Sequence, residues 1–230
     1  SYYPKKGFGE IANRISSIVK SKDGEILLNE IAEEIKINED KSFTIKTNKR
    51  TLDSEYVIST IPINLLTPKI KPSPPEEVVK ESAKLEYLSL ILVHLFTNKK
   101  DVLNCQYCYY IDKPYNRISE MNNFSNSTSP TNENILSVEI SCLPSSDLMN
   151  MNDEDIFDMC ISSIEKDKII NKNEITDYKV IKVSNVYPIY RKEYEKSLDT
   201  TENFFKNINK FYSLGRQGQF YYGDIDQMIR

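Results

Sequence analysis

The stretch LSLILVHLF, Leu88–Phe96, is the longest apolar run in this chain, and it limits what the middle of the sequence can become. It falls well short of the ~20 residues a membrane helix needs. It has strand length, with Leu88, Leu90 and Leu92 on one face and Ile91, Val93 and Leu95 on the other. Three more strand-like runs follow between polar turns: CQYCYYID, NRISEMNNFS and NILSVEIS. Sequential strands with loops this short predict an antiparallel meander. NDEDIFDMCISSIEKD then reads as a helix whose acidic first turn suits the helix dipole.

The flanks have a different character. Phe8, Ile11, Ile15 and Ile18 recur at a helical period in FGEIANRISSIVKS. GEILLNEIAEEIKI and SFTIKT read as strands around the polar turn NEDK, and EYVISTIP as a buried strand closed by Pro62. KIKPSPPEEVVKESAKL brings a cluster of prolines and then an acidic helix start, which predicts a domain crossing near residues 68–76. YKVIKVSNVYPIY is a last long strand, and SLDTTENFFKNINKF a helix leading into FYSLGRQGQFYY. The layout is α+β in two domains, with 76–186 as the middle domain and 1–75 and 187–230 as the flanking parts of the other. NNFSNSTSPTNEN reads as a mobile loop.

Composition removes several functions. With 39% hydrophobic and 28% charged residues the chain is globular, and a net charge of −4 with Lys and Arg spread along it argues against a nucleic-acid binder. Absence of a membrane span or a signal peptide reads as cytoplasmic. Cys105-Gln-Tyr-Cys108 has the spacing of half a zinc site, but Cys142 and Cys160 stand far apart and the only His is His94. Strand alternation would put Cys105 and Cys108 on opposite faces, so no metal is expected and the thiols read as reduced. His94, on an apolar strand, reads as a satisfied core group.

The end of the chain, GRQGQFYYGDIDQMIR, concentrates glycines, arginines, aromatics and aspartates in a chain with only six glycines. Glycine lets a backbone approach a ligand, and a helix start at Asp224 to Asp226 exposes N–H groups that attract an anion or a carbonyl oxygen. Arg216 adds a planar cation suited to phosphate. On these residues alone, a capped Gly-rich turn and a ligand site remain equally open.

This ending resembles the C-terminal FAD signature of UDP-galactopyranose mutases and protoporphyrinogen-oxidase-like proteins, a clan that includes the flavin-containing amine oxidases. YPKKGFGEIANRI is similar to the clan's Tyr-Pro-x-Gly-Gly helix start, with Lys6 in place of the first glycine. GEILLNEIAEEI resembles the returning strand that passes the adenine, SEYVISTIPINLL the strand after it, and VYPIYRKEYEKSL the Tyr-Pro-Val-Tyr turn back from the substrate domain. The resemblance implies an α+β fold: an antiparallel-sheet substrate (cap) domain with helices, plus partial Rossmann-like FAD-binding elements at both ends. The clan's G-x-G-x-x-G loop is missing, since GFG at Gly7–Gly9 has the wrong length. The sequence therefore reads as a fragment that lacks the N-terminal Rossmann part and would not retain FAD by itself.

The resemblance also implies roles. Ala32 would meet the adenine edge, Thr60 and Pro62 would line the cofactor cleft, Arg216 would neutralise pyrophosphate charge, and Gly215 and Gly218 would belong to the same cofactor-binding turn. Gly223, Asp224, Ile225 and Asp226 would present a helix end to the flavin. Arg117, Tyr190, Arg191 and Tyr222 would meet a small-molecule or nucleotide-sugar substrate. The implied activity is an FAD-dependent oxidoreductase. The alternatives are a mutase-like flavoenzyme without net redox, or a binding domain without catalysis.

Overall fold

The computed structural model describes residues 3–130 and 132–228, apart from the side chains of Ile225 and Asp226. Helix α1 (Gly9–Lys20) precedes β1 (Ala32–Ile37), β2 (Phe43–Thr47), β3 (Thr51–Ser54) and β4 (Val57–Ser59). Then come the one-turn helix α2 (Ile63–Leu66), β5 (Ile70–Lys71), α3 (Glu76–Ser82) and the long strand β6 (Tyr87–Thr97). Strands β7 (Tyr107–Tyr109), β8 (Arg117–Glu120) and β9 (Asn134–Cys142) lead to α4 (Asp153–Lys166) and β10 (Ile175–Pro188). The chain continues through α5 (Tyr194–Lys206), β11 (Phe211–Ser213), α6 (Gly215–Gly218) and α7 (Ile225–Met228).

Two compact units result: Ser1–Ile26 with Ser89–Ser184, and Leu27–Leu88 with Asn185–Arg230. These limits differ from the three-part division at 75 and 186. The passage between units falls inside β6 and β10, each of which contributes residues to both. The N-terminal segment groups with the middle of the chain for a visible reason. Tyr3 packs its ring 5.1 Å from that of Phe124, and Ser125 Oγ donates to the Lys5 carbonyl at 2.6 Å.

The first unit holds a five-stranded sheet in the order β10-β6-β9-β8-β7, with β6–β9, β8–β9 and β7–β8 all antiparallel. This corrects the simple meander, because β9 lies between β6 and β8. The two long apolar strands pair from Ser89↔Cys142 to Thr97↔Asn134, and the short polar strands are displaced to the edge. Ile91, Val93, Leu95, Leu136, Val138 and Ile140 meet Ile156, Phe157, Cys160, Ile161 and Ile164 of α4 in one core. Burying each such aliphatic side chain is worth ~1.5–3 kcal/mol, so this interface dominates the unit. Asn152 caps α4 by accepting from the Asp155 N–H at 2.8 Å, ahead of the acidic first turn.

A buried carboxylate closes the far edge of this sheet. Glu120 is fully buried and accepts from Val102 N (3.2 Å), Leu103 N (2.6 Å), Asn123 Nδ2 (3.1 Å) and Asn134 Nδ2 (2.6 Å). Four donors offset the loss of water around the charge and pin the loop that precedes β7.

The second unit has a four-stranded sheet, β3-β2-β1-β5, and a two-stranded parallel sheet, β4–β11. Ile35, Phe43, Ile63, Leu66, Leu85, Phe205, Phe211 and Phe220 form its core. Two expectations change here. The strand proposed across GEILLNEIAEEIKI begins only at Ala32, and Leu28 before it is 76% exposed. Strand β3 was not foreseen, because TNKRTL looks polar. Its turn is closed by Thr47 Oγ1, which accepts from Lys49 N at 3.1 Å and Arg50 N at 2.9 Å. In the first unit, helix α1 has the expected period, yet Phe8, Ile11, Ile15 and Ile18 are all exposed. Among the described residues, no helix is long and apolar enough to cross a membrane.

Candidate functional site

The glycine-rich turn of the second unit grows out of the β4–β11 pair. Phe211↔Val57 through Ser213↔Ser59 run parallel, and Leu214 N then donates to the Ser59 carbonyl at 2.8 Å. Gly215 follows with φ +77°, a left-handed value that a side chain would oppose. A Cβ at Gly218 would lie 2.9 Å from Ser213 Oγ and 3.1 Å from the Ser59 carbonyl, so only glycine lets α6 close onto this edge. Ser213 Oγ seals the turn by donating to the Gly218 carbonyl at 2.8 Å.

Arg216 projects from this turn over two adjoining aromatic rings, whose centroids are 5.3 Å apart. Its Cζ is 5.0 Å from the Tyr187 centroid and 5.3 Å from the Tyr222 centroid, within cation–π range. Nη2 donates to the Gly223 carbonyl at 2.8 Å. All of these partners are neutral, so they orient the cation without cancelling its charge. Tyr222 N donates to Tyr190 Oη at 2.7 Å, and Tyr190 stacks on Tyr194 at 4.6 Å. A Cβ at Gly223 would lie 2.5 Å from Tyr221 Cε1, so a side chain there would displace that exposed ring.

The structure therefore brings Gly215, Arg216, Gly218, Tyr190, Tyr222 and Gly223 into one cluster. Thr60 is exposed beside Gly215, its Cγ2 3.9 Å from where a Cβ would stand. Pro62 opens α2, and its carbonyl accepts from Leu65 N and Leu66 N. Asp224 adjoins the cluster, but its N–H is taken by Gln227 Oε1 at 2.8 Å. Ile225 and Asp226 are the first two residues of α7, and their side chains lie outside the described residues. Arg191 is turned away into an ion pair with Glu86. Ala32 opens β1 opposite Thr47 and makes none of these contacts.

Beneath the turn, Tyr87 Oη donates to the Gln217 carbonyl at 2.5 Å and accepts from Ile63 N at 3.3 Å. Burial pushes its phenol well above the usual tyrosine range, so it stays a neutral donor. A cavity of about 450 Å³ lies beside α6, lined by Ser213, Leu214 and Gly218 together with Phe205, Phe211 and Lys206.

Arg117 belongs to the first unit. It is committed to Glu139: Nε–Oε1 is 2.9 Å, Nη2–Oε1 2.6 Å and Nη2–Oε2 2.8 Å, with the Tyr107 and Tyr109 rings each 5.6 Å from Cζ. His94 is not the satisfied core group that the sequence suggested. Its Nδ1 is buried without a hydrogen-bond partner among the described residues. It borders a cavity of about 280 Å³ with Tyr3, Lys6, Phe96, Met121 and Ile135. Burial, helped by Lys179 and opposed by Glu139, lowers its pKa.

The cysteines also depart from expectation. Cys105 and Cys108 do not face opposite ways, because β7 begins only at Tyr107 and the chain bends through residues 102–106. Their sulfurs lie 3.0 Å apart. Among the described residues, no group of three or more His, Cys, Asp or Glu converges as a metal site would need.

Sequence reasoning missed Tyr187, Glu139 and the Tyr107–Tyr109 pair. Glu139 was within reach: it stands directly opposite Arg117 once β8 and β9 are paired. Tyr187 was not, because nothing in VYPIY indicates which tyrosine meets a residue near the other end of the unit.

The family model for flavin containing amine oxidoreductases matches residues 1–197. No curated protein matches the sequence. Among solved structures, the fold is similar to a reduced UDP-galactopyranose mutase, with TM-score 0.80, 18% identity, and 94% of this chain covering 47% of that one. It is also similar to a protein named for protoporphyrinogen oxidase from Exiguobacterium sp. 255-15, with TM-score 0.74, 15% identity and coverages of 93% and 47%. A triple mutant of putrescine oxidase follows at TM-score 0.58, 15% identity and coverages of 76% and 38%. The chain thus spans about half, or less, of the structures it matches.

Proposed function

Because the chain belongs to the flavin containing amine oxidoreductase family, we propose that it serves an FAD-dependent oxidoreductase, with the Gly215–Asp224 turn helping to hold the dinucleotide. The observation that carries this reading is Arg216, a cation oriented by Tyr187, Tyr222 and the Gly223 carbonyl but neutralised by none of them. That donor set fits an anionic group such as a pyrophosphate, which a guanidinium binds through paired, charge-assisted hydrogen bonds. Bound FAD supplies the electron chemistry.

The chain's own residues bind and orient. Gly215 and Gly218 keep side chains away from the approach, and Thr60 and Pro62 line its margin. Gly223, Asp224, Ile225 and Asp226 present the start of α7, and Ala32 offers backbone groups toward the adenine. Tyr190 and Tyr222, joined by a hydrogen bond, form the aromatic wall on the substrate side. Arg117 and Arg191 are each paired with a glutamate, which leaves them poor partners for a sugar diphosphate and favours a small substrate over a nucleotide sugar.

The test is spectroscopic. The purified full-length protein should be yellow, with flavin absorbance that bleaches anaerobically when a candidate amine or other small reductant is added. A colourless protein that fails to quench added FAD would favour a binding domain without catalysis.

A further inference from the structure

Cys105 and Cys108 lie on the edge of the sheet in the first unit, far in sequence from the glycine-rich turn, and the proposed function makes no use of them. Their Sγ atoms are 3.0 Å apart, and both residues are partly exposed between the exposed Asn104, Gln106 and Tyr107. The approach is built rather than incidental. Asn123 Nδ2 donates to the Cys105 carbonyl at 2.8 Å and to the Leu103 carbonyl at 3.0 Å, and the same amide is bound to the buried Glu120. Cys108 is fixed from the other side by the register Cys108↔Ile118 of β7 and β8. Two thiols are thus held side by side from separately anchored pieces of backbone, and an approach of about 1 Å would bring them to bonding distance.

The geometry points to a reversible modification site: Cys105 and Cys108 form an intramolecular disulfide by exchange with a low-molecular-weight disulfide. The Cys105 thiolate attacks one sulfur of the small disulfide, RSSR, forming a mixed disulfide and releasing RS⁻, which takes up the proton that Cys105 gave up. The Cys108 thiol then loses its proton and attacks Cys105 Sγ, expelling the second RS⁻, which takes up that proton. The net change is RSSR plus two cysteine thiols to one cystine plus two RSH. The chain is oxidised by two electrons and the small disulfide is reduced by the same two. Cys105 is the first nucleophile because it sits in the bend. The Cys108 thiol is pushed above its ordinary value by its hydrogen bond to Cys105, and Cys108, held in register within β7, is the resolving sulfur. Cys142 and Cys160 are buried, and burial pushes both of their thiols up, Cys160 to about 12. They should stay out of the exchange. Closure fixes the bend that leads into β7, and with it the strand carrying the adjoining Tyr107 and Tyr109 rings against Arg117.

The test treats the folded protein with excess oxidised glutathione, quenches with acid, alkylates the remaining thiols after unfolding, and maps tryptic peptides by mass. The peptide spanning residues 101–117 should be lighter by two hydrogens and carry no alkyl group, while Cys142 and Cys160 are fully alkylated. Both thiols of that peptide found alkylated, or a stable glutathione adduct in the wild type, would overturn the proposal. In Cys108→Ser the same treatment should leave one glutathione on Cys105, the intermediate with no neighbour to resolve it. A free Cys105 in that variant would overturn the assignment of Cys105 as the attacking sulfur.

Discussion

Tyr87 donates its hydroxyl hydrogen to the backbone carbonyl of Gln217 and so anchors the glycine-rich turn to the start of β6. Tyr87→Phe keeps the ring and its edge-to-face contact with Phe220 but leaves that carbonyl without its donor. An unsatisfied buried acceptor costs about 1–3 kcal/mol. At roughly 2–4 °C per kcal/mol for a chain of this size, calorimetry should show Tm lowered by roughly 2–12 °C. An unchanged Tm would mean that water replaces the phenol.

Arg216→Ala should weaken FAD binding by the full-length protein much more than Tyr222→Phe does. Removing one partner from a buried charge pair costs ~2–5 kcal/mol, which is well over tenfold in affinity. Losing the Tyr222 hydroxyl leaves its ring beside Arg216 and its N–H on Tyr190. Flavin titrations of the two variants decide the matter, and equal affinities would remove Arg216 from the cofactor site.

Glu120→Gln tests the buried carboxylate. The amide that replaces one oxygen is itself a donor and would point at N–H groups that now find an acceptor. Hydrogen bonds to a charged group are worth ~1.5–3 kcal/mol each, so Tm should fall by roughly 5 °C or more, as followed by circular dichroism. Fluorescence of the tyrosines on β7 should change with it, because Glu120 holds the loop that leads there.

His94 predicts a pH dependence. Its folded-state pKa is depressed below the ordinary 6.5, so the unfolded chain takes up a proton before the folded one does. Stability from this residue is complete above about pH 6.5 and is lost as pH falls from there through the folded pKa. Thermal unfolding between pH 7.5 and pH 5 (about the window in which a histidine titrates) should show a slope that His94→Gln reduces. A slope unchanged in the variant would place the titrating group elsewhere.

Much of this architecture was legible because it rests on period and punctuation. The apolar run at Leu88, the acidic start of α4 and the glycines at 215 and 218 each impose one local geometry, and the order of the motifs identified the flavin clan. What stayed hidden depends on partners distant in sequence. Strand order was misjudged because burial, rather than adjacency in the chain, put β9 beside β6. The meeting of Cys105 and Cys108 was misjudged because alternation holds only within a strand, and Cys105 lies before one. The ring pair beside Arg216 joins Tyr187 and Tyr222 from separate segments, which no local pattern records.

The pairing of β4 with β11 has a consequence for the order in which the molecule assembles. These strands are separated in sequence by the whole of the middle sheet and by α4 and α5, yet they lie side by side and in register. Closing so long a loop is entropically slow compared with forming the local pairings of β6 to β9, and it must wait until residue 213 has been synthesised. During translation the segment Ser89–Ser184 can condense while its neighbour is still half-made. The glycine-rich turn depends on β11 and cannot form before it, so a nascent chain stalled short of β11 would carry a finished α4 core but no Arg216 cluster.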